Sequence, residues 1–137
     1  MNIQYPAIFK RQEPSGFFVR FPDLEEAITE GDTVEECLFN AAEVLSVILE
    51  CRLEDGKEIP IPSKVKGAHM IAPDAKVQAA LLVRFSKNGK SLADIARALG
   101  TSWPAAQRLE NPKHSPTLRQ LERAAAALGK RLILSFE

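Results

Sequence analysis

Apolar residues open the chain at alternate positions, Ile3, Tyr5, Ala7 and Phe9, and the alternation resumes at Phe17, Val19 and Phe21 after Glu13-Pro14-Ser15-Gly16. A period of two belongs to a strand with one buried face, so the pattern predicts a β-hairpin. Pro22 and Asp23 end its second strand, and Ala27 to Glu30 predict a short third one before the turn at Gly31-Asp32. The period then changes. Thr33 and Glu36 form the S/T-x-x-E pattern, in which a hydroxyl and a carboxylate satisfy the open amides of a helix start. Cys37, Leu38, Ala41, Val44, Leu45, Ile48 and Cys51 follow at three- and four-residue steps, the stripe of a helix lying on a sheet. Glu35, Glu36, Glu43, Glu50 and Glu54 fall on its wet face. Asp55-Gly56 stops the helix, the prolines of EIPIP hold an extended stretch, and Lys66 to Ile71 predict a last strand. The order β-β-β-α-β describes a small sandwich of a sheet and a helix.

Beyond Ala72-Pro73-Asp74 the periodicity is helical as far as Leu128. This predicts a first domain over 1–72 and a second over 73–137. The first helix runs from Asp74 to about Lys87 and buries Val77, Ala80, Leu81 and Phe85. Ser91 and Asp94 cap a second over Leu92–Leu99, a third covers Ser102 to Glu110, and a fourth covers Thr117 to Leu128. Arg131 to Phe136 reads as a terminal strand. The whole is an α+β chain.

Composition adds one decisive feature. The formal net charge is zero, but residues 1–73 carry 7 Lys+Arg against 13 Asp+Glu and residues 74–137 carry 11 against 5. Net charges of −6 and +6 on the two parts point to two different partners, because a basic surface suits polyphosphate and an acidic one is repelled by it, the alternative being that the two parts attract one another. No apolar run approaches the roughly 18 residues that span a bilayer, and MNIQYPAIFK lacks the pattern of a secretory signal, so a cytoplasmic location is expected. Cys37 and Cys51 sit about 21 Å apart along one helix, too far for a disulfide, and are expected to be reduced and buried. His69 and His114 are isolated, so no metal site, cofactor or catalytic residue is expected.

Between Ser91 and Leu109 the spacing fits a helix-turn-helix, against the alternative of a helical bundle whose Ala and Gly serve packing alone. Ala96 supplies the small side chain needed where two helices cross closely, and Gly100 supplies the positive φ that the turn between them needs. That is the spacing of a helix-turn-helix, whose second helix enters the major groove of DNA. In this register Ser102, Trp103, Gln107 and Arg108 face the groove. Arg108 suits a guanine edge and Gln107 an adenine edge, whereas Lys87, Lys90, Arg97 and Lys113 suit phosphates. Pro104 is tolerable only in the first turn of its helix.

Three stretches taken together, GFFVRFPDLEEAITEGDTVEECLFNAAEVL, EDGKEIPIPS and SLADIARALGTSWPAAQRLENPKHSPTLRQLERAAAALGKRL, resemble the HicB family of antitoxins from type II toxin–antitoxin pairs, in the subgroup with a C-terminal helix-turn-helix. The resemblance covers nearly the whole chain. It implies a partly RNase H-like N-terminal fold that blocks a small, basic, RNA-cleaving HicA-type toxin. It further implies a C-terminal domain that represses the pair's own operon as a dimer or larger assembly. Asp23, Glu25, Glu26 and Asp32 are the candidate toxin contacts. Leu132, Leu134 and Phe136 are the candidate dimer contacts through the terminal strand. Two rival functions remain on the sequence alone: a free-standing regulator with a ligand-sensing N-terminal domain, and a metal-dependent nuclease using the carboxylates between 23 and 36.

Overall fold

The computed structural model describes residues 1–137, which divide into two compact units, Met1–Gln78 and Ala79–Glu137. In the first unit, β1 (Tyr5–Arg11), β2 (Phe17–Phe21) and β3 (Leu24–Gly31) precede the helix α1 (Val34–Glu54), and β4 (His69–Ile71) follows it. The sheet order is β3-β2-β1-β4, with every neighbouring pair antiparallel. Register follows the alternation: Phe9 faces Val19, which faces Thr29, while Ile8, Arg20 and Ile28 line up on the opposite face. Tyr5, Ala7, Val19 and Phe21 are fully buried or nearly so. The helix packs against β3, β2 and β4.

Thr33 caps α1, its hydroxyl accepting from the Glu36 amide at 3.1 Å. The buried line on the helix is Cys37, Ala41, Leu45 and Leu49, with Ser46 beside it. Four-residue steps keep these side chains on one face, whereas Cys51 lies two residues beyond Leu49 on the far side. Cys51 is therefore exposed, against expectation, and Leu38 is only partly covered. Burial, followed by the charges of Glu36 and Asp32, pushes the Cys37 thiol up, which keeps it protonated and unreactive. Gly31 is where β3 meets the start of α1. A Cβ there would lie 2.9 Å from Cys37 Sγ and 3.0 Å from its backbone nitrogen, so only glycine allows this approach.

The third strand is longer than its apolar pattern predicts. A register irregularity between Arg20 and Phe21 lets Phe21 pair with Leu24, extending β3 back to the Pro22-Asp23 turn. The fourth strand is shorter, because Lys66 and Gly67 lie outside the ladder.

The second unit comprises most of α2 (Ala75–Ser86) together with α3 (Leu92–Leu99), α4 (Trp103–Arg108) and α5 (Leu118–Ala127). The division between units falls inside α2 rather than at Ala72-Pro73. The first turn of α2 belongs with the sheet unit because the Asp74 amide donates to Ser46 Oγ at 2.9 Å, Lys76 approaches Glu50 at 3.8 Å and Val77 is buried. Residues 130–137 form no strand. A strand is defined by its partner, and the sheet contains only β1 to β4, so the predicted terminal strand does not form within the single chain. Ile133, Leu134 and Phe136 are exposed.

Candidate functional site

Val83, Ile95, Ala96, Ala106, Leu109, Ala124 and Leu128 make up the buried cluster of the second unit, with Leu99 packed against it. The cluster fixes α3 and α4, and their ends are closed by local chemistry. Ser91 and Asp94 form a reciprocal capping box at the start of α3. At its end Gly100 adopts φ 64°, ψ 36°, the left-handed region where a side chain costs most and glycine least. The Thr101 amide then donates to the Ala96 carbonyl at 2.9 Å. Ser102 Oγ accepts from the Ala105 amide at 3.3 Å and starts α4. Three residues thus separate two helices packed on one core. Arg123 reinforces the turn by donating to the Leu99 carbonyl at 3.1 Å, a contact across 24 residues that no local pattern announces.

Trp103, Gln107 and Arg108 are exposed along α4, as is Lys90 in the loop before α3. Pro104 lies in the first turn, where its missing N–H leaves no bond unmade. The remaining basic candidates have work within the fold. Lys87 Nζ lies 2.9 Å from Glu110 Oε2, and Arg97 is ion-paired with Asp94. The Ser102 hydroxyl serves as the cap just described. Lys113 is exposed at the loop after α4, its amide donating to Asn111 Oδ1 at 3.0 Å.

The acidic candidates of the first unit separate in the same way. Asp23 accepts from the Ser63 amide and hydroxyl at 3.0 and 2.7 Å. Glu26 receives Arg52 in a two-pronged pair, Nε to Oε2 at 2.8 Å and NH2 to Oε1 at 2.7 Å, and the same guanidinium donates to the Glu58 carbonyl at 3.0 Å. With the Tyr5 hydroxyl donating to the Pro60 carbonyl at 2.6 Å, these contacts tie residues 58–63 to the sheet. Burial raises the Tyr5 phenol, so it remains a donor throughout the working range. Glu25 and Asp32 are exposed. No group of three or more His, Cys, Asp or Glu side chains is arranged to hold a metal ion, so the carboxylates between 23 and 36 do not converge. His69 stacks on Phe9, with ring centroids 4.1 Å apart.

The Arg52 hydrogen bonds hold Glu26 at about 2, below its ordinary 4.5. A depressed carboxylate contributes its stability above the ordinary value and loses it as pH falls towards the folded one. The Glu26 side chain is 39% exposed, and solvent screening limits the pair to about 1 kcal/mol. Glu26→Gln is expected to be destabilised by about that amount at pH 7. Its deficit against the natural chain should close between about pH 4.5 and 2, measured by denaturant titration across that range. A deficit independent of pH would assign the effect to packing.

Residues 4–78 match the model of a family described as HicB_like antitoxin of bacterial toxin-antitoxin system. The Antitoxin HicB 2 of Photorhabdus laumondii is 38% identical over 135 residues, covering 97% of this chain and 96% of the relative. The chain belongs to the HicB-like antitoxin family. Antitoxin HicB 1 of the same organism is 31% identical over 137 residues, with 99% and 88% covered, and the Antitoxin HicB of Escherichia coli K12 is 30% identical over 135, with 96% and 98% covered. The family match ends at the residue where the first unit ends, so the part that marks the antitoxin is the sheet with α1. The named relatives extend over the second unit as well. No helix of the chain is long and apolar enough to cross a membrane.

Proposed function

We propose that this antitoxin works through two surfaces. The first unit binds and silences a HicA-type RNA-cleaving toxin, and the second is a helix-turn-helix that binds operator double-stranded DNA and represses the pair's own operon in the cytoplasm. The observation that carries this reading is that charge divides along the same boundary as the compact units. Residues 1–78 hold 8 Lys+Arg against 14 Asp+Glu, and residues 79–137 hold 10 against 4. The acidic unit is unsuited to nucleic acid and suited to a basic protein, whereas the basic unit attracts phosphate. The basic unit also holds the helix pair turned by Gly100, with Trp103, Gln107 and Arg108 exposed on its second helix. These side chains supply base contacts, and Lys87, Lys90, Arg97 and Lys113 supply phosphate contacts. Expressing the toxin alone should stop growth, and co-expressing this chain should restore it. Growth arrest that persists with the chain present would sink the reading.

The tail fits the same scheme. Leu134 and Phe136 are 66% and 106% exposed, and they alternate as strand residues do, a pattern that tends to recruit another chain when no strand of its own chain pairs with it. Leu132, Leu134 and Phe136 are proposed to pair with the same segment of a second copy, giving a two-fold dimer for half-sites about 34 Å apart. Removing residues 131–137 should halve the mass in sedimentation and weaken operator binding. Unchanged mass would place the dimer contact elsewhere.

A further inference from the structure

α1 carries a second apolar line that the core does not use. Phe39 and Val47 are 64% and 55% exposed, and Glu43 lies between them at four-residue steps, which puts all three on one side of the helix. They border a concavity of about 770 Å³ whose lining also includes Glu50, Ala72 and Asp74. That lining holds three carboxylates and no lysine or arginine. Glu43 makes no ion pair, and Glu50 is approached only by Lys76, at 3.8 Å. By contrast, Asp23 and Glu26 in the neighbouring turn and strand are already bonded to Ser63 and Arg52. Glu43 and Glu50 therefore place negative charge beside the exposed phenyl ring, with Asp74, whose Oδ1 also accepts from the Val77 amide at 3.2 Å, at the same rim.

We propose that this groove, with Phe39 and Val47 as its apolar contacts and Glu43 and Asp74 at its rim, is the docking site for a cationic amphipathic helix of the toxin. The inference rests on the toxin-binding role proposed above and names the surface that performs it. From Phe39 to Glu50 the line is about 16 Å long, enough for three turns of a partner helix laid along it. Such a helix places apolar side chains against Phe39 and Val47 and its Lys or Arg side chains towards the carboxylates. A phosphate backbone or an acidic protein meets three like charges there and is excluded.

Titration of the purified cognate toxin into the full chain tests this by calorimetry. Phe39→Ala and Glu43→Lys replace exposed side chains, so their circular dichroism should match that of the natural chain. Each should raise the toxin Kd at least tenfold, and Glu122→Lys, the same charge reversal at an exposed position of α5, should leave it within twofold. Toxin binding by Phe39→Ala and Glu43→Lys as tight as that of the natural chain overturns the site, as does an equal loss for Glu122→Lys. A fall in the mass of toxin-free Phe39→Ala protein would show that a second copy fills the groove, which also overturns it. If the natural chain itself fails to bind the toxin, the toxin-binding reading falls first and the groove with it.

Discussion

Leu45→Ala is expected to unfold most readily of the substitutions considered, and to lose toxin neutralisation with its fold. Leu45 is fully buried at the middle of the α1 line that covers the sheet. Removing a buried leucine side chain costs its transfer energy and leaves a cavity, together about 2 to 5 kcal/mol. A small domain holds only about 5 to 15 kcal/mol of stability, so one such loss is a large fraction of the whole. The single tyrosine, Tyr5, is buried in this same unit, and its near-ultraviolet signal reports the transition. A guanidinium midpoint unchanged for Leu45→Ala would contradict the packing described here.

Arg108→Ala acts on the other surface. Arg108 is exposed on α4 and engages no carboxylate, so its removal costs the fold little. Loss of a two-pronged contact to a guanine edge costs about 1 to 3 kcal/mol, or roughly 5- to 150-fold in operator affinity, and relaxes the preference at one base position. Lys90→Ala serves as the contrasting variant. It should weaken binding to all sequences alike and lower the salt slope by about 1. Both are measured by fluorescence anisotropy on operator and scrambled duplexes at several salt concentrations. Equal losses on both duplexes for Arg108→Ala would mean that this side chain meets phosphate rather than a base.

The change from a period of two to one of nearly four is visible in the residues themselves, which is why β1, β2 and α1 are legible in the sequence. So are the helix starts, because Thr33, Ser91, Ser102 and Thr117 carry their capping chemistry locally. At Gly100 the turn residue announces the backbone it adopts. What eluded the pattern depends on partners distant in sequence. The Glu25-Glu26 pair interrupts the alternation of β3, and its pairing is recovered only by the irregularity opposite Phe21. Glu26 reads as a free carboxylate until Arg52, 26 residues away, is seen to bind it. Lys87 likewise reads as an unpaired cation until Glu110 is found beside it. Phe39 falls off the stripe that helical spacing assigns to the core, and the spacing alone does not say whether a second element covers it; the structure leaves it exposed. The tail alternates as a strand does, but no strand in the same chain receives it.

The central claim, that this chain silences an RNA-cleaving toxin by binding it, is tested most directly by following cleavage of a labelled RNA by the purified cognate toxin while the chain is added. Cleavage should fall in proportion to the added protein and stop at a fixed stoichiometric ratio, with Arg108→Ala as effective as the natural chain and Leu45→Ala less so. Cleavage that continues undiminished in excess of the natural chain would contradict the account.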